Sequence, residues 1–293
     1  MCHDAGGAEI VSSYIKSKDL KASYCVQGPA KDIFMKKLGL IDNKSLYDLV
    51  NDSNLIITGT SWGSDIEFNA IELAKKLNKK IVSYLDHWIN YHERFIRNGK
   101  SIFPDEIWVG DMYALKIAKL NFPNQVIKLV KNEYLNAIKV DFDSIKNIGD
   151  VSKKVLFVSE NISEHMNNLY GDDLYLGYNE ISSIRVFLDN ILEIKQNIES
   201  IVIRPHPSEI NILQKYGWIF QHPINKKCKI EISTESSLLY DIAQSSIVVG
   251  CTSMALVVAL ICKKNVMTCI PQDIDSPLPH KEIVNLNNLI KTR

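Results

Sequence analysis

Short runs of apolar, β-branched residues alternate along this chain with longer stretches in which apolar side chains recur every three or four positions. An unbroken apolar run of four to eight residues fits a strand buried in a sheet, and a period near 3.6 fits a helix laid against one. In the first half, Ser23–Val26, Leu55–Thr58, Ile81–Leu85, Ile107–Val109 and Val126–Leu129 read as strands. Between two of them, Ile66–Leu77 gathers Ile66, Phe68, Ala70, Ile71, Leu73, Ala74 and Leu77 into a helix packed on a sheet. The second half opens with a strand at Val155–Val158 and a helix at Ser182–Ile198, followed by strands at Ile201–Arg204 and Lys229–Ile232. A helix at Ser237–Gln244, a strand at Ile247–Val249, a helix at Met254–Cys262 and a last strand at Val266–Ile270 complete it. Strand and helix in strict alternation give parallel sheets with crossover helices, so the expected class is α/β with two Rossmann-like domains.

Asn132–Lys154 is polar, carries no strong period and contains Gly149, as an interdomain connection would. The boundary is placed near Asp150, giving an N-terminal domain of residues 1–150 and a C-terminal domain of residues 151–293. The chain length of 293 residues supports two cores. At the other end, Cys2–Glu9 looks like the turn after a first strand, with a helix opening at Ala8–Ile15, yet almost nothing precedes it. A first strand is missing from the pattern, and the expectation is a start further upstream or a truncated chain.

Composition changes this picture mainly by exclusion. Lys plus Arg and Asp plus Glu both number 34, so there is no global field to gather nucleic acid. No apolar run approaches the ~20 residues of a membrane span, and no basic region followed by an apolar one marks a secretory leader. The six cysteines have neither C-x-x-C nor zinc-type His spacing and read as buried free thiols. A cytoplasmic location is expected, with attachment at the inner face of the cytoplasmic membrane as a further option, although no basic amphipathic helix stands out. No cofactor and no metal ligand set is expected.

Two stretches in the second half carry the strongest chemistry. In Arg204-Pro205-His206-Pro207-Ser208-Glu209, directly after a strand, two prolines fix the backbone on either side of one histidine. That holds an imidazole at the carboxyl edge of a parallel sheet, where such folds bind ligands. In Gly250-Cys251-Thr252-Ser253, a strand runs through a small turn into a helix, so hydroxyls and free amides converge at a helix N-terminus suited to phosphate. Simple N-capping by Thr252 or Ser253 is the alternative there. Between the two, Ser233-Thr234-Glu235-Ser236-Ser237 ends a strand, and Glu235 is a candidate for ribose hydroxyls, a capping turn being the alternative.

Together these motifs resemble the HP and Ser/Thr-Ser motifs of bacterial GT-B glycosyltransferases of the sialyltransferase, Kdo-transferase and CDP-glycerol-polymerase type. The resemblance covers about a third of the chain and implies that His206 contacts the donor phosphate while Thr252 and Ser253 hold phosphate or nucleotide. Arg204, Ser208, Glu209, Glu235 and Ser236 complete the expected donor-side set.

The first half supplies the acceptor side. His3-Asp4-Ala5-Gly6-Gly7 pairs acidic and glycine residues at a strand-to-helix turn, where Gly6 and Gly7 let a ligand approach the backbone. The resembled enzymes place a catalytic aspartate in an acidic-glycine motif of this domain, and Asp4 matches it by location, though the wording departs from the usual pattern. Asp86-His87-Trp88 after Ile81–Leu85 is a second polar cluster on the acceptor side: Asp86 is a rival base that can pair with His87, or it binds acceptor hydroxyls while Trp88 and Tyr91 stack on a sugar ring. Ser61 and Trp62 add a hydroxyl and an indole near the same edge. The expected function is metal-independent, inverting transfer of a sugar, a nonulosonic acid from a CMP donor in the favoured case, onto a glycan or lipid-linked surface-polysaccharide acceptor. The rivals are a non-hydrolysing nucleotide-sugar 2-epimerase and a non-catalytic GT-B binding subunit.

Overall fold

A computed structural model describes residues 1–61, 64–146 and 148–290 of the protein. The chain divides into two compact units, Met1–Ala137 and Ile138–Arg293. Both are α/β.

The first unit runs through α1 (Ala5–Ser17), α2 (Ala30–Leu38), α3 (Leu46–Asp52), β1 (Leu55–Thr58), α4 (Ile66–Lys76) and β2 (Lys80–Leu85). A small antiparallel ribbon, β3 (Ile96–Arg97) with β4 (Lys100–Ser101), precedes β5 (Glu106–Val109), α5 (Met112–Asn121) and β6 (Ile127–Leu129). The parallel sheet has the order β1-β2-β5-β6. From α1, Ala8, Ile10, Val11 and Ile15 pack with Phe34, Val82, Tyr84 and Trp108 into one core.

The position of a first strand is held by Met1 and Cys2. The Met1 ammonium donates to Ile57 O (2.7 Å), Gly59 N donates to Met1 O (3.1 Å), and Cys2 pairs in parallel with Val26 on its other side. The expected strand at Ser23–Val26 accordingly shrinks to single bridges at Tyr24 and Val26. Its outer edge is closed by the Asn43 side-chain amide, which bonds both the N–H (2.7 Å) and the carbonyl (3.1 Å) of Val26 in place of a ladder.

Asn132–Lys154 is not the unstructured connection its polarity suggests. Residues Glu133–Asp143 form α6, started by the Asn132 side chain accepting from Leu135 N at 3.0 Å, and the division between the units falls inside this helix. The second unit continues with β7 (Lys154–Val158), α7 (Ile162–Tyr170), α8 (Glu180–Ile194), β8 (Ser200–Arg204), α9 (Ile212–Tyr216), β9 (Lys229–Ile232), α10 (Leu238–Ala243), β10 (Ile247–Gly250), α11 (Met254–Ile261), β11 (Asn265–Thr268) and β12 (Val284–Asn285). Its sheet has the order β12-β11-β10-β7-β8-β9, parallel throughout. The central β7 and β10 are buried along nearly their whole length, which is why they read as unbroken apolar runs. Helix α8 buries Ile184, Phe187, Leu188 and Ile191 on one stripe and starts on a capping box of Asn179 and Ser182. It stops at Ile194, earlier than the apolar spacing suggested, because Lys195 turns extended and Ile198 reaches the core from outside the helix.

All six cysteines are free and buried. Among the described residues no helix is long and apolar enough to cross a membrane.

Helix α1 approaches the end of β1 at a glycine pair: a Cβ built on Gly59 would stand 2.9 Å from the Gly7 Cα. Backbone faces backbone there, so neither partner can yield by rotating a side chain. Gly59→Ala is expected to cost about 1–3 kcal/mol by overpacking, read as a lower denaturant midpoint; an unchanged midpoint would show that the helix slides freely.

Candidate functional site

Three neighbouring strands of the second unit, β8, β7 and β10, end on one edge. Adjacent strands lie about 4.8 Å apart, so the ends of β8 and β10 are separated by about 10 Å with β7 between them. The loops carrying His206 and Thr252 therefore flank a third loop, Ser159–Asn161, that the sequence motifs did not flag. It touches both. Asn161 Nδ2 donates to Ser208 Oγ at 3.3 Å, while Glu160 accepts from Thr252 N at 2.6 Å and from Thr252 Oγ1 at 3.2 Å.

The His206 loop is rigidly anchored. Its backbone N–H donates to Glu209 Oε2 (2.6 Å), and the other oxygen of Glu209 accepts from Lys215 Nζ (2.5 Å) and from the Tyr216 hydroxyl (2.7 Å). Lys215 also pairs with Glu180, whose side chain is fully buried. Above this anchor the imidazole is exposed, with Ser208 N donating to Nδ1 at 3.2 Å. An accepting Nδ1 leaves the proton of the neutral ring on Nε2, which is then a donor.

At α11, Ser253 caps the helix through its side chain, accepting from Ala255 N at 3.2 Å. The amide and the hydroxyl of Thr252 both bond Glu160. Burial raises the pKa of that carboxyl, hydrogen bonds at the start of α11 pull it back, and Glu180 nearby adds to the rise. Burial also pushes up the pKa of the Tyr178 phenol.

Several residues expected at the donor turn inward instead. Glu209 is buried with both oxygens engaged, and Arg204 Nη1 donates to Asp241 Oδ2 (2.6 Å) and Ser236 O (2.8 Å). The Ser236 hydroxyl bonds Asp241 in turn. These groups pin the turn before α10, leaving Glu235 exposed at its tip.

In the first unit the glycines serve the protein's own chain. A Cβ on Gly6 would fall 1.9 Å from Asp86 Oδ2, so Gly6 makes room for that carboxylate, and Gly7 makes room for Gly59. Asp86 Oδ1 is held by Arg94 Nη1 at 2.5 Å, with side-chain exposures of 15% and 5%. Arg94 also donates to Thr60 Oγ1. Trp88, expected to stack on a sugar, is buried, its indole N–H donating to Asp111 Oδ2 at 2.9 Å, and Tyr91 is buried against Phe122. His87 is half-buried, edge-on to Trp88. Ser61 is buried and bonds Glu67 Oε2 (2.6 Å) and Ser64 O (2.8 Å), which removes it from a surface cleft. Trp62 lies outside the described residues. Asp4 starts α1 without capping it and accepts from His3 instead.

No known protein family and no curated protein matches this sequence. Solved structures do match over nearly the whole chain. A provisionally assigned UDP-N-acetylglucosamine 2-epimerase from Listeria monocytogenes superposes with a TM-score of 0.64 at 12% identity, covering 99% of this chain and 85% of its own. The UDP-GlcNAc 2-epimerase from Neisseria meningitidis, bound to UDP-GlcNAc, gives 0.58 at 10% identity over 99% and 88%. MurG from Acinetobacter baumannii gives 0.52 at 8% over 94% and 78%. The chain has the GT-B fold.

That fold accounts for the parallel sheets of both units. Residues the motifs missed, Glu160, Asn161, Lys215 and Tyr216, support the His206 loop or the start of α11. The one available signal was position: Ser159-Glu160-Asn161 follows the most apolar strand of the half. Asp-x-Asp triplets occur at Asp141–Asp143 on α6 and at Asp273–Asp275, with their aspartates exposed. Among the described residues no cluster of three or more His, Cys, Asp or Glu side chains is placed to hold a metal ion.

Proposed function

We propose that this protein is a nucleotide-sugar enzyme that holds the phosphate of its donor on the second unit, between the exposed His206 and the start of α11, and transfers the sugar to a glycan acceptor. The observation that carries the reading is the bonded chain Ser208–Asn161 and Glu160–Thr252, which ties both phosphate-suited loops to one central loop of the sheet edge. Glu160 is a carboxylate already held on the Thr252 amide and hydroxyl, which supports their fitness for phosphate oxygens. A CMP-activated nonulosonic acid and a surface-polysaccharide or lipid-linked acceptor are the favoured pair.

Two anions cannot share that amide and hydroxyl, so Glu160 competes with the donor. Glu160→Gln is expected to tighten binding of CMP, CDP or UDP about 10-fold, equivalent to about 1.4 kcal/mol. Because the carboxyl titrates above its ordinary range, wild-type affinity should rise as pH falls and that slope should vanish in the variant. Calorimetry decides: a weaker-binding Glu160→Gln protein makes Glu160 a ligand group, and absence of binding by every nucleotide removes the nucleotide-sugar reading.

The epimerase reading is favoured by the two epimerase structures above. Incubation with UDP-GlcNAc alone separates the two, since epimerisation needs no acceptor and transfer does. Nucleotide binding without turnover in either assay would leave a non-catalytic binding subunit.

A further inference from the structure

The second unit holds two thiols that the phosphate site leaves unused. Strands β10 and β11 are parallel neighbours whose last registered pair is Gly250 with Thr268, so Cys251 and Cys269 occupy the next position on each. Adjacent strands lie about 4.8 Å apart, within the Cα separation that a disulfide spans. Side chains alternate along a strand, and Val249 and Met267, two positions back, pack into the same core, so both thiols face that side. The backbone around them is fixed: Cys269 N donates to Gly250 O at 2.9 Å, and Thr268 Oγ1 donates to Cys251 O at 2.6 Å. Cys269 Sγ reaches Gly250 O at 3.3 Å. Cys2, by contrast, faces Val26 rather than Cys25.

The two thiols differ in access. Cys269 borders a cleft of about 610 Å³ with Tyr178, Gln272 and Asn287 in its wall. That is ample for a peroxide, given that a water takes about 30 Å³. Cys251 is 0% exposed and packs among Ile162, Tyr178 and Ile270. The Cys269 thiol beside it and burial hold the Cys251 thiol well above the ordinary thiol range, so Cys251 keeps its proton and Cys269 is the sulfur that meets the oxidant.

We infer that Cys251 and Cys269 form a redox couple, oxidised by a peroxide, that staples the turn opening α11 to the end of β11. A Cys269 thiolate attacks one peroxide oxygen; the O–O bond breaks, and the hydroxide that leaves takes up the proton Cys269 gave up and becomes water. Cys251 Sγ then attacks the resulting sulfenic sulfur, the S–O bond breaks, and a second water carries off the Cys251 proton. Two thiols and one hydrogen peroxide thus become one disulfide and two waters. Thr252 is the next residue, and its amide and hydroxyl are held by Glu160 at 2.6 and 3.2 Å. The staple fixes the turn in that Glu160-occupied shape, where it no longer adjusts to a donor phosphate; this consequence, unlike the couple itself, rests on the nucleotide-sugar reading.

The test treats the full chain with hydrogen peroxide, alkylates it under denaturing conditions and digests it. The Cys251 and Cys269 peptides should emerge joined, and separate again after dithiothreitol. In Cys251→Ser no bond forms, and Cys269 should be trapped by dimedone as the sulfenic acid. By calorimetry the disulfide form should bind CMP, CDP or UDP about 10-fold more weakly than the reduced protein, and the affinity of Cys269→Ser should not respond to peroxide. Both thiols left free, or joined to other cysteines, overturns the couple. Unchanged nucleotide affinity in the disulfide form overturns the staple. A reduced protein that binds no nucleotide overturns the nucleotide-sugar reading, and the joined peptides still decide the couple.

Discussion

Replacing His206 by alanine is expected to lower kcat/KM for the nucleotide-sugar donor about 10²–10³-fold while leaving the fold unchanged. The size follows from removing one preorganised donor aimed at charge that develops on a leaving phosphate. The specificity follows from how the loop is held. Its shape is set by Pro205 and Pro207 and by the His206 backbone N–H on Glu209 Oε2 (2.6 Å), and alanine keeps all three. Only the exposed ring and its contacts with Ser208 are lost. Substitution of an exposed side chain in such a setting shifts stability by less than about 1 kcal/mol. Steady-state kinetics beside a denaturant titration separates the two effects. Near wild-type turnover in a folded variant would remove His206 from the reaction.

The placement of His206 just past a strand end was readable because the signal for it is local. A strand, two prolines and a histidine are consecutive, and the carboxyl-edge rule does the rest. Strands such as Leu55–Thr58 and Lys229–Ile232 were equally plain, since burial on both faces leaves an unbroken apolar run. What the sequence hides is the partner. Glu160 and Thr252 are 92 residues apart, and nothing in either segment says that a carboxylate fills the helix N-terminus where a phosphate was expected. Trp88 fails in the same way: an indole after a strand suits a sugar ring until Asp111, 23 positions on, draws its N–H inside. Gly6 and Gly7 advertise close approach without saying by what. Helix α6 escaped notice because much of its surface is exposed and its single deeply buried apolar residue, Ile138, gives too weak a stripe to mark a period.

The largest stability effect should come from a lysine held between two buried carboxylates. Lys215 is the only cation the described residues place between the carboxylates of Glu180 and Glu209, whose side chains are 0% and 1% exposed. Removing one partner of such a group strands the others in a dry interior, and the usual cost is about 3–5 kcal/mol. Lys215→Met keeps the stem and removes the charge, so a loss of that order in urea titrations is expected. Part of it should return in the double variant with Glu180→Gln, which a loss of packing alone would not allow. The pH dependence has a definite sign. Burial works to raise the Glu180 pKa, but bonds from Lys215 and Ser163 outweigh it and the folded value lies below the ordinary one. Its contribution is therefore present above the unfolded carboxyl pKa and disappears as pH falls through the folded one. Burial works to lower the Lys215 pKa, but Glu180 and Glu209 outweigh it, so its contribution is whole below the unfolded lysine pKa and is lost as pH rises through the folded one. The wild type should thus lose stability at both extremes, and Lys215→Met should lose the alkaline limb. Because Glu209 also carries the His206 N–H, the same variant should loosen the imidazole loop and lower turnover along with stability, whereas a variant that keeps its full urea midpoint would show that the two carboxylates find their counter-charge elsewhere.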